Sequence, residues 1–123
     1  MGSMPLVIVV EDDEDLRRAF ERVLIASGFA VRSFGSAEAL LDARSASEAA
    51  CLVVDIRLPG ISGVDMVRRL GAHGRLPPTV FISAFDDVTN RKRARDSGGV
   101  GYLAKPFLGS ELITAVNLAL SRS

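Results

Sequence analysis

Residues able to do chemistry gather at the ends of four short apolar runs. Glu11-Asp12-Asp13 follows residues 6–10, Asp55 ends Cys51-Leu52-Val53-Val54, Ser83 ends Thr79-Val80-Phe81-Ile82, and Lys105 follows residues 100–104. Brought together, these groups would form a set suited to one kind of reaction. Two carboxylates about 4 Å apart repel by roughly 4 kcal/mol at an effective dielectric near 20, so a positive group should share their site. A hard divalent ion answers that need, and Mg²⁺ suits a few carboxylates, waters and a substrate phosphate. An ammonium on a flexible stem (Lys105) suits a second carboxylate or a phosphate oxygen. A hydroxyl at Ser83 can donate to an oxyanion, and a carboxylate can itself be the nucleophile and become an acyl phosphate. The chemistry is phosphoryl transfer, where positioning and charge neutralisation do most of the work.

Whether the four stretches meet depends on the elements between them. Runs 6–10 and 51–55 are continuous apolar segments, as expected of strands covered on both faces. A shorter strand is expected at 30–34, and further strands at 79–83 and 100–104. Leu16, Ala19, Phe20, Val23 and Leu24 form a helical stripe, with Asp13 as its cap and Gly28 closing it. A second helix starts at Ser36 with Leu40, Leu41 and Ala43 inward, and its end within 44–50 is poorly marked. A third opens at Gly63 with Val64, Val67 and Leu70, and closes near Gly71 to Gly74; Met66 reads as filler at its side. A fourth, capped by Asp86 or Asp87 and ended by Gly98-Gly99, has only Val88 and Ala94 plainly apolar. The last carries Leu108, Leu112, Ala115, Val116, Ala119 and Leu120. Five strands alternating with five helices, without repeat or linker, make one α/β domain, a (βα)5 doubly wound parallel sheet with right-handed crossovers. All strand carboxyl ends then share one edge, where ligands bind in such sheets.

Composition narrows the function classes. Fifteen acidic and fifteen basic residues leave no net charge, so no global field favours nucleic acid or membrane. The run Arg91-Lys92-Arg93-Ala94-Arg95 lacks interleaved aromatics and reads as a solvated helix face. One cysteine, Cys51, allows no internal disulfide and suits a reducing cytoplasm; it is read as inert packing. No apolar run approaches the roughly 20 residues of a membrane span. His73, flanked by glycine, is read as exposed. Met1-Gly2-Ser3 ahead of Met4 is read as a cloning remnant, leaving 4–123 as the domain.

Val9-Val10-Glu11-Asp12-Asp13, Val54-Asp55 with Leu58-Pro59-Gly60 and Gly63, Ile82-Ser83-Ala84, and Tyr102-Leu103-Ala104-Lys105-Pro106-Phe107 together resemble the receiver domains of bacterial two-component response regulators. The resemblance covers Val7 to about Leu120. It implies a flavodoxin-like, CheY-like fold with strand order 2-1-3-4-5. Asp55 would accept a phosphoryl group from a phosphohistidine of a sensor histidine kinase or phosphotransfer protein. Asp12, Asp55 and the Arg57 backbone carbonyl would ligate Mg²⁺ (Mn²⁺ could substitute), with Glu11 acting through water. Ser83 and Lys105 would hold phosphoryl oxygens, and Tyr102 would turn inward as the switch aromatic. The Lys105-Pro106 bond is expected to be cis, as in relatives. The domain would catalyse only its own phosphorylation and dephosphorylation.

Three positions depart from the commoner pattern. Ser83 replaces Thr and loses a methyl that restricts its rotamer. Glu11 replaces Asp and reaches further. Arg57, two residues past the nucleophile, is expected to lean over the phosphoryl group or pair with Glu11, Asp12 or Asp86. With Phe85 across the site it would limit hydrolytic water and set the phosphate lifetime; a solvated loop arginine is the plainer alternative. The weakly apolar fourth helix should shift easily. With the fifth strand and fifth helix it would form the reporting face, through which phosphorylation-dependent homodimerisation is a possible output. A metal-dependent phosphohydrolase with an Asp nucleophile is the main competitor. Its usual second Asp falls at Arg57, and no length is spare for a cap. A flavin module would want glycine and backbone donors where the first turn is acidic. Val54-Asp55-Ile56-Arg57-Leu58-Pro59-Gly60 resembles receivers of the FixJ/NarL type, joined to helix-turn-helix DNA-binding domains; an output on transcription would need such a domain outside this chain.

Overall fold

A computed structural model describes residues 4–84 and 88–122. The expectations for Met1-Gly2-Ser3, for Phe85 and for an Asp86 or Asp87 helix cap fall outside the described residues. The chain alternates β1 (Leu6–Val10), α1 (Glu14–Ala26), β2 (Ala30–Phe34), α2 (Ala37–Ala43), β3 (Cys51–Asp55), α3 (Gly63–Ala72), β4 (Thr79–Ser83), α4 (Val88–Asp96), β5 (Gly99–Ala104) and α5 (Gly109–Ser121). One 3₁₀ turn, Ala46–Glu48, fills the segment whose ending the sequence marks poorly. The five strands pair in parallel in the order β2-β1-β3-β4-β5.

Alternation along the central strands builds two cores. Ile8, Val10, Leu52, Val54 and Phe81 face Leu40, Val64, Val67 and Ala94. Val7, Val9, Val53, Val80 and Ile82 face Phe20, Leu24, Leu112 and Val116. Every residue of β3 and β4 is buried, which is why both read as unbroken apolar runs. Caps fix where the helices start: Asp13 Oδ1 accepts from Leu16 N–H, Ser36 Oγ from Ala39 N–H and Ser62 Oγ from Asp65 N–H, each at 3.1 Å. Gly28, at φ +95°, turns the chain out of α1. Gly63 is required by close approach, since a Cβ there would overlap the Asp55 carbonyl.

Several expectations need correction. Leu108 is the cap residue of α5, not part of its core stripe, and is 68% exposed. Val88 is 83% exposed, so α4 packs through Asn90 and Ala94 instead. Ala43 is exposed, and Ala37 takes its place on the inner side of α2. Met66 is fully buried rather than side filler. The third helix ends at Ala72, between Gly71 and Gly74 as expected, whereas Gly99 belongs to β5. There Phe81 and the Ala94 carbonyl crowd the space a Cβ would need. His73 is exposed at the end of α3, as expected.

Candidate functional site

Strand register brings the four stretches to one edge. Val10 pairs with Val54, Asp55 with Ile82, and Ser83 with Ala104. Glu11, Asp55, Ser83 and Lys105 therefore lie at successive positions along the carboxyl rim. The backbone continues the pairing past the strands: Ile56 N–H donates to the Ile82 carbonyl at 2.9 Å and Lys105 N–H to the Ser83 carbonyl at 2.8 Å.

Lys105 ties the acids together. Its Nζ lies 2.7 Å from Asp55 Oδ2 and 2.6 Å from Glu11 Oε1. Asp55 is 4% exposed, and its Oδ1 accepts from the Arg57 N–H at 2.9 Å. Glu11 is fully buried; its Oε2 accepts from Asp13 N–H at 3.2 Å. Its Oε1 is paired with the Lys105 ammonium. Ser83 is fully buried, whereas the Arg57 and Asp12 side chains are exposed. Tyr102 is half-buried, with the Arg91 guanidinium 4.5 Å from its ring centroid.

Burial pushes the Glu11 carboxyl up to about 7 from an ordinary 4.5, against the pull of the Lys105 hydrogen bond and with the help of the Asp55 charge. Burial also works against the charge on Lys105. The hydrogen bonds to Asp55 and then Glu11 outweigh it and hold the ammonium above its usual range. One ammonium, paired with Glu11 and Asp55, stands beside a cluster of three acids and leaves an excess of negative charge.

That excess suits a cation. Carboxylate oxygens of Glu11, Asp12 and Asp55 lie within 4.8 Å of one another. Two oxygens bound to Mg²⁺ at about 2.1 Å stand at most about 4.2 Å apart, so small side-chain rotations would close the set. All the donors are hard oxygens, the kind a small divalent cation prefers. The residues present fit a divalent metal ion.

Two neighbours escape a reading of sequence alone. Arg17 Nη1 donates to the Glu11 carbonyl at 2.9 Å, and Glu38 Oε2 accepts from the Ile61 N–H at 3.1 Å. Arg17 follows the acidic run within two helical turns, a weak signal. Glu38 stands 23 residues from its partner and gives none.

A five-stranded parallel sheet in this order, wrapped by five helices, places the protein among α/β domains of CheY-like, flavodoxin-type fold. The family model for the response regulator receiver domain matches residues 7–117. The chain belongs to that family. It is 38% identical to nodulation protein W of Bradyrhizobium diazoefficiens over 98% of this chain and 53% of that protein. It is 36% identical to the transcriptional regulatory protein FixJ of Azorhizobium caulinodans, over 98% of this chain and 57% of that one. The receiver domain of Francisella response regulator 1452 superposes with a TM-score of 0.88 at 25% identity, covering 96% of this chain and 98% of its own. The chain thus spans just over half the length of these two curated relatives. Among the described residues no helix is long and apolar enough to cross a membrane.

Proposed function

We propose that Asp55 is the phosphoacceptor of a cytoplasmic two-component switch occupying residues 4–123, with Met1-Gly2-Ser3 a cloning remnant. The observation that carries this reading is the position of Lys105 Nζ, within 2.7 Å of both Asp55 and Glu11 at the carboxyl rim. An Asp55 oxygen attacks the phosphorus of a phosphohistidine on a sensor histidine kinase or phosphotransfer protein. The O–P bond forms as the N–P bond breaks, and the departing imidazole keeps the electron pair and takes a proton from solvent. Lys105 neutralises charge on the phosphoryl oxygens, and the Ser83 hydroxyl donates to one of them.

Glu11, Asp12, Asp55 and the Arg57 carbonyl would hold Mg²⁺, or Mn²⁺ in its place. The ion supplies positive charge that offsets the carboxylates and the incoming phosphoryl group. Hydrolysis by water returns Asp55 to its carboxylate; Arg57, with Phe85, limits that water.

Tyr102 follows Ser83 inward, and the face formed by α4, β5 and α5 reports the change. Homodimerisation or contact with an output domain follows. Relatives described as transcriptional regulatory proteins support an output on transcription, through a DNA-binding domain that is not among these 123 residues. The test is intact mass after incubation with acetyl phosphate, with and without Mg²⁺, for wild type and Asp55→Asn. A Mg²⁺-dependent gain of one phosphoryl unit is expected in wild type alone. An equal gain in Asp55→Asn would overturn the assignment.

A further inference from the structure

The loop between β3 and α3 is held from both sides. On the inner side Ile56 and Leu58 are buried in the core. On the outer side stands Glu38, in the first turn of α2. Its Oε2 accepts from the Ile61 N–H at 3.1 Å. The same carboxylate covers Gly60: a Cβ built there would overlap Oε2 and lie 3.1 Å from Cδ. Gly60 also has φ +75°, a conformation that strains any L side chain. The backbone conformation therefore keeps position 60 bare, and the space this leaves is the seat of the Glu38 carboxylate.

This loop begins at Asp55 and carries Arg57, whose N–H donates to Asp55 Oδ1 at 2.9 Å. Fixing its outer end restricts where the Arg57 carbonyl can point and how the Asp55 carboxylate is turned. We propose that Glu38 is a positioning residue for the rim, a clamp from α2 that holds the β3–α3 loop in the geometry a divalent cation needs. The inference rests on the metal-dependent phosphoacceptor reading. An acid in the first turn also favours α2 through the helix dipole. That effect needs the charge alone, whereas the clamp needs an oxygen facing Ile61. The two roles separate on substitution, because Glu38→Gln keeps an acceptor oxygen without the charge.

The experiment uses the whole chain as wild type, Glu38→Ala and Glu38→Gln, with two readouts. Hydrogen exchange of the Ile61 amide is followed in metal-free protein, and Mg²⁺ affinity is measured by calorimetric titration. Glu38→Ala is expected to speed Ile61 exchange and weaken Mg²⁺ binding about tenfold, the low end of what losing an outer-shell partner costs. Glu38→Gln is expected to restore both. Mg²⁺ affinity unchanged in Glu38→Ala would overturn the proposal, as would equal losses in the two variants, which would assign Glu38 to the helix dipole. A wild-type protein that takes up no Mg²⁺ would defeat the phosphoacceptor reading itself, and this inference with it.

Discussion

Lys105 Nζ sits 2.7 Å from Asp55 Oδ2, joining residues 50 positions apart in the chain across the ends of β3 and β5. β4 lies between those two strands, so the lysine must reach across the end of a neighbour to make the contact. It also reaches Glu11 at 2.6 Å, on the far side of Asp55. One ammonium thus balances two acids that burial has placed side by side.

Removing that charge should cost stability before it costs signalling. Lys105→Met leaves Glu11 and Asp55 buried with no cation beside them. A loss of about 2 kcal/mol is expected, below the roughly 3–5 kcal/mol of a fully buried pair because the lysine is partly exposed. Urea unfolding without metal, above neutral pH, measures it, and added Mg²⁺ should recover part of the loss. Phosphorylation by acetyl phosphate should fall as well. A variant as stable as wild type would show that the pairing carries no weight.

The pH dependence of the metal-free protein follows from Glu11. Its carboxyl is pushed up to about 7 in the fold against an ordinary 4.5. Between those values the folded state holds a proton that the unfolded chain releases. The stability it confers is complete below about 4.5 and is lost as pH rises through about 7. The slope from this one group is at most about 1.4 kcal/mol per pH unit. Lys105, held above its usual range, stays charged throughout that window and does not reverse the sign. Mg²⁺ needs the carboxylate, so it should raise the melting temperature more at about pH 8 than at about pH 6. Melting curves of wild type and Glu11→Gln across that range test both points; the variant should lose the slope.

Arg57 tests the account of phosphate lifetime. Its side chain is exposed at the rim while its N–H is bound to Asp55 Oδ1. Arg57→Ala keeps the backbone contact and removes the side chain beyond Cβ. Faster loss of the phosphoryl group, followed by intact mass after removal of the donor, is expected. An unchanged rate would make Arg57 an ordinary solvated loop residue.

Cys51 should be silent in the native state. It is fully buried at the start of β3, and burial pushes its thiol up to about 12. A disulfide reagent at mildly alkaline pH should label it only after denaturant unfolds the chain. Rapid labelling of native protein would mean that β3 opens locally.

Much of this architecture is legible in the residues because strands covered on both faces read as unbroken apolar runs. β1, β3 and β4 stop at Val10, Asp55 and Ser83, where the runs stop. Glu11, Asp12, Asp55 and Lys105 stand out for the same reason, each following such a run at a predictable edge. What stays hidden depends on contacts between distant segments. Leu108 satisfies a helical stripe yet caps α5, because Glu111 reaches back to accept from its N–H at 2.9 Å. Gly99 reads as a helix stop yet joins β5, since only a residue without a side chain fits beside Phe81. Arg17 and Glu38 grip backbone atoms, and a backbone partner leaves no mark in the side-chain pattern.

Locating the phosphoryl group tests the central claim most directly. Borohydride reduces an aspartyl phosphate to homoserine, which peptide mass spectrometry places on a single residue. After treatment with acetyl phosphate and Mg²⁺, homoserine is predicted at position 55 and nowhere else, and none is predicted when Mg²⁺ is removed by chelation. Conversion at another carboxylate, or none at Asp55 in protein that has gained a phosphoryl unit, would contradict the account.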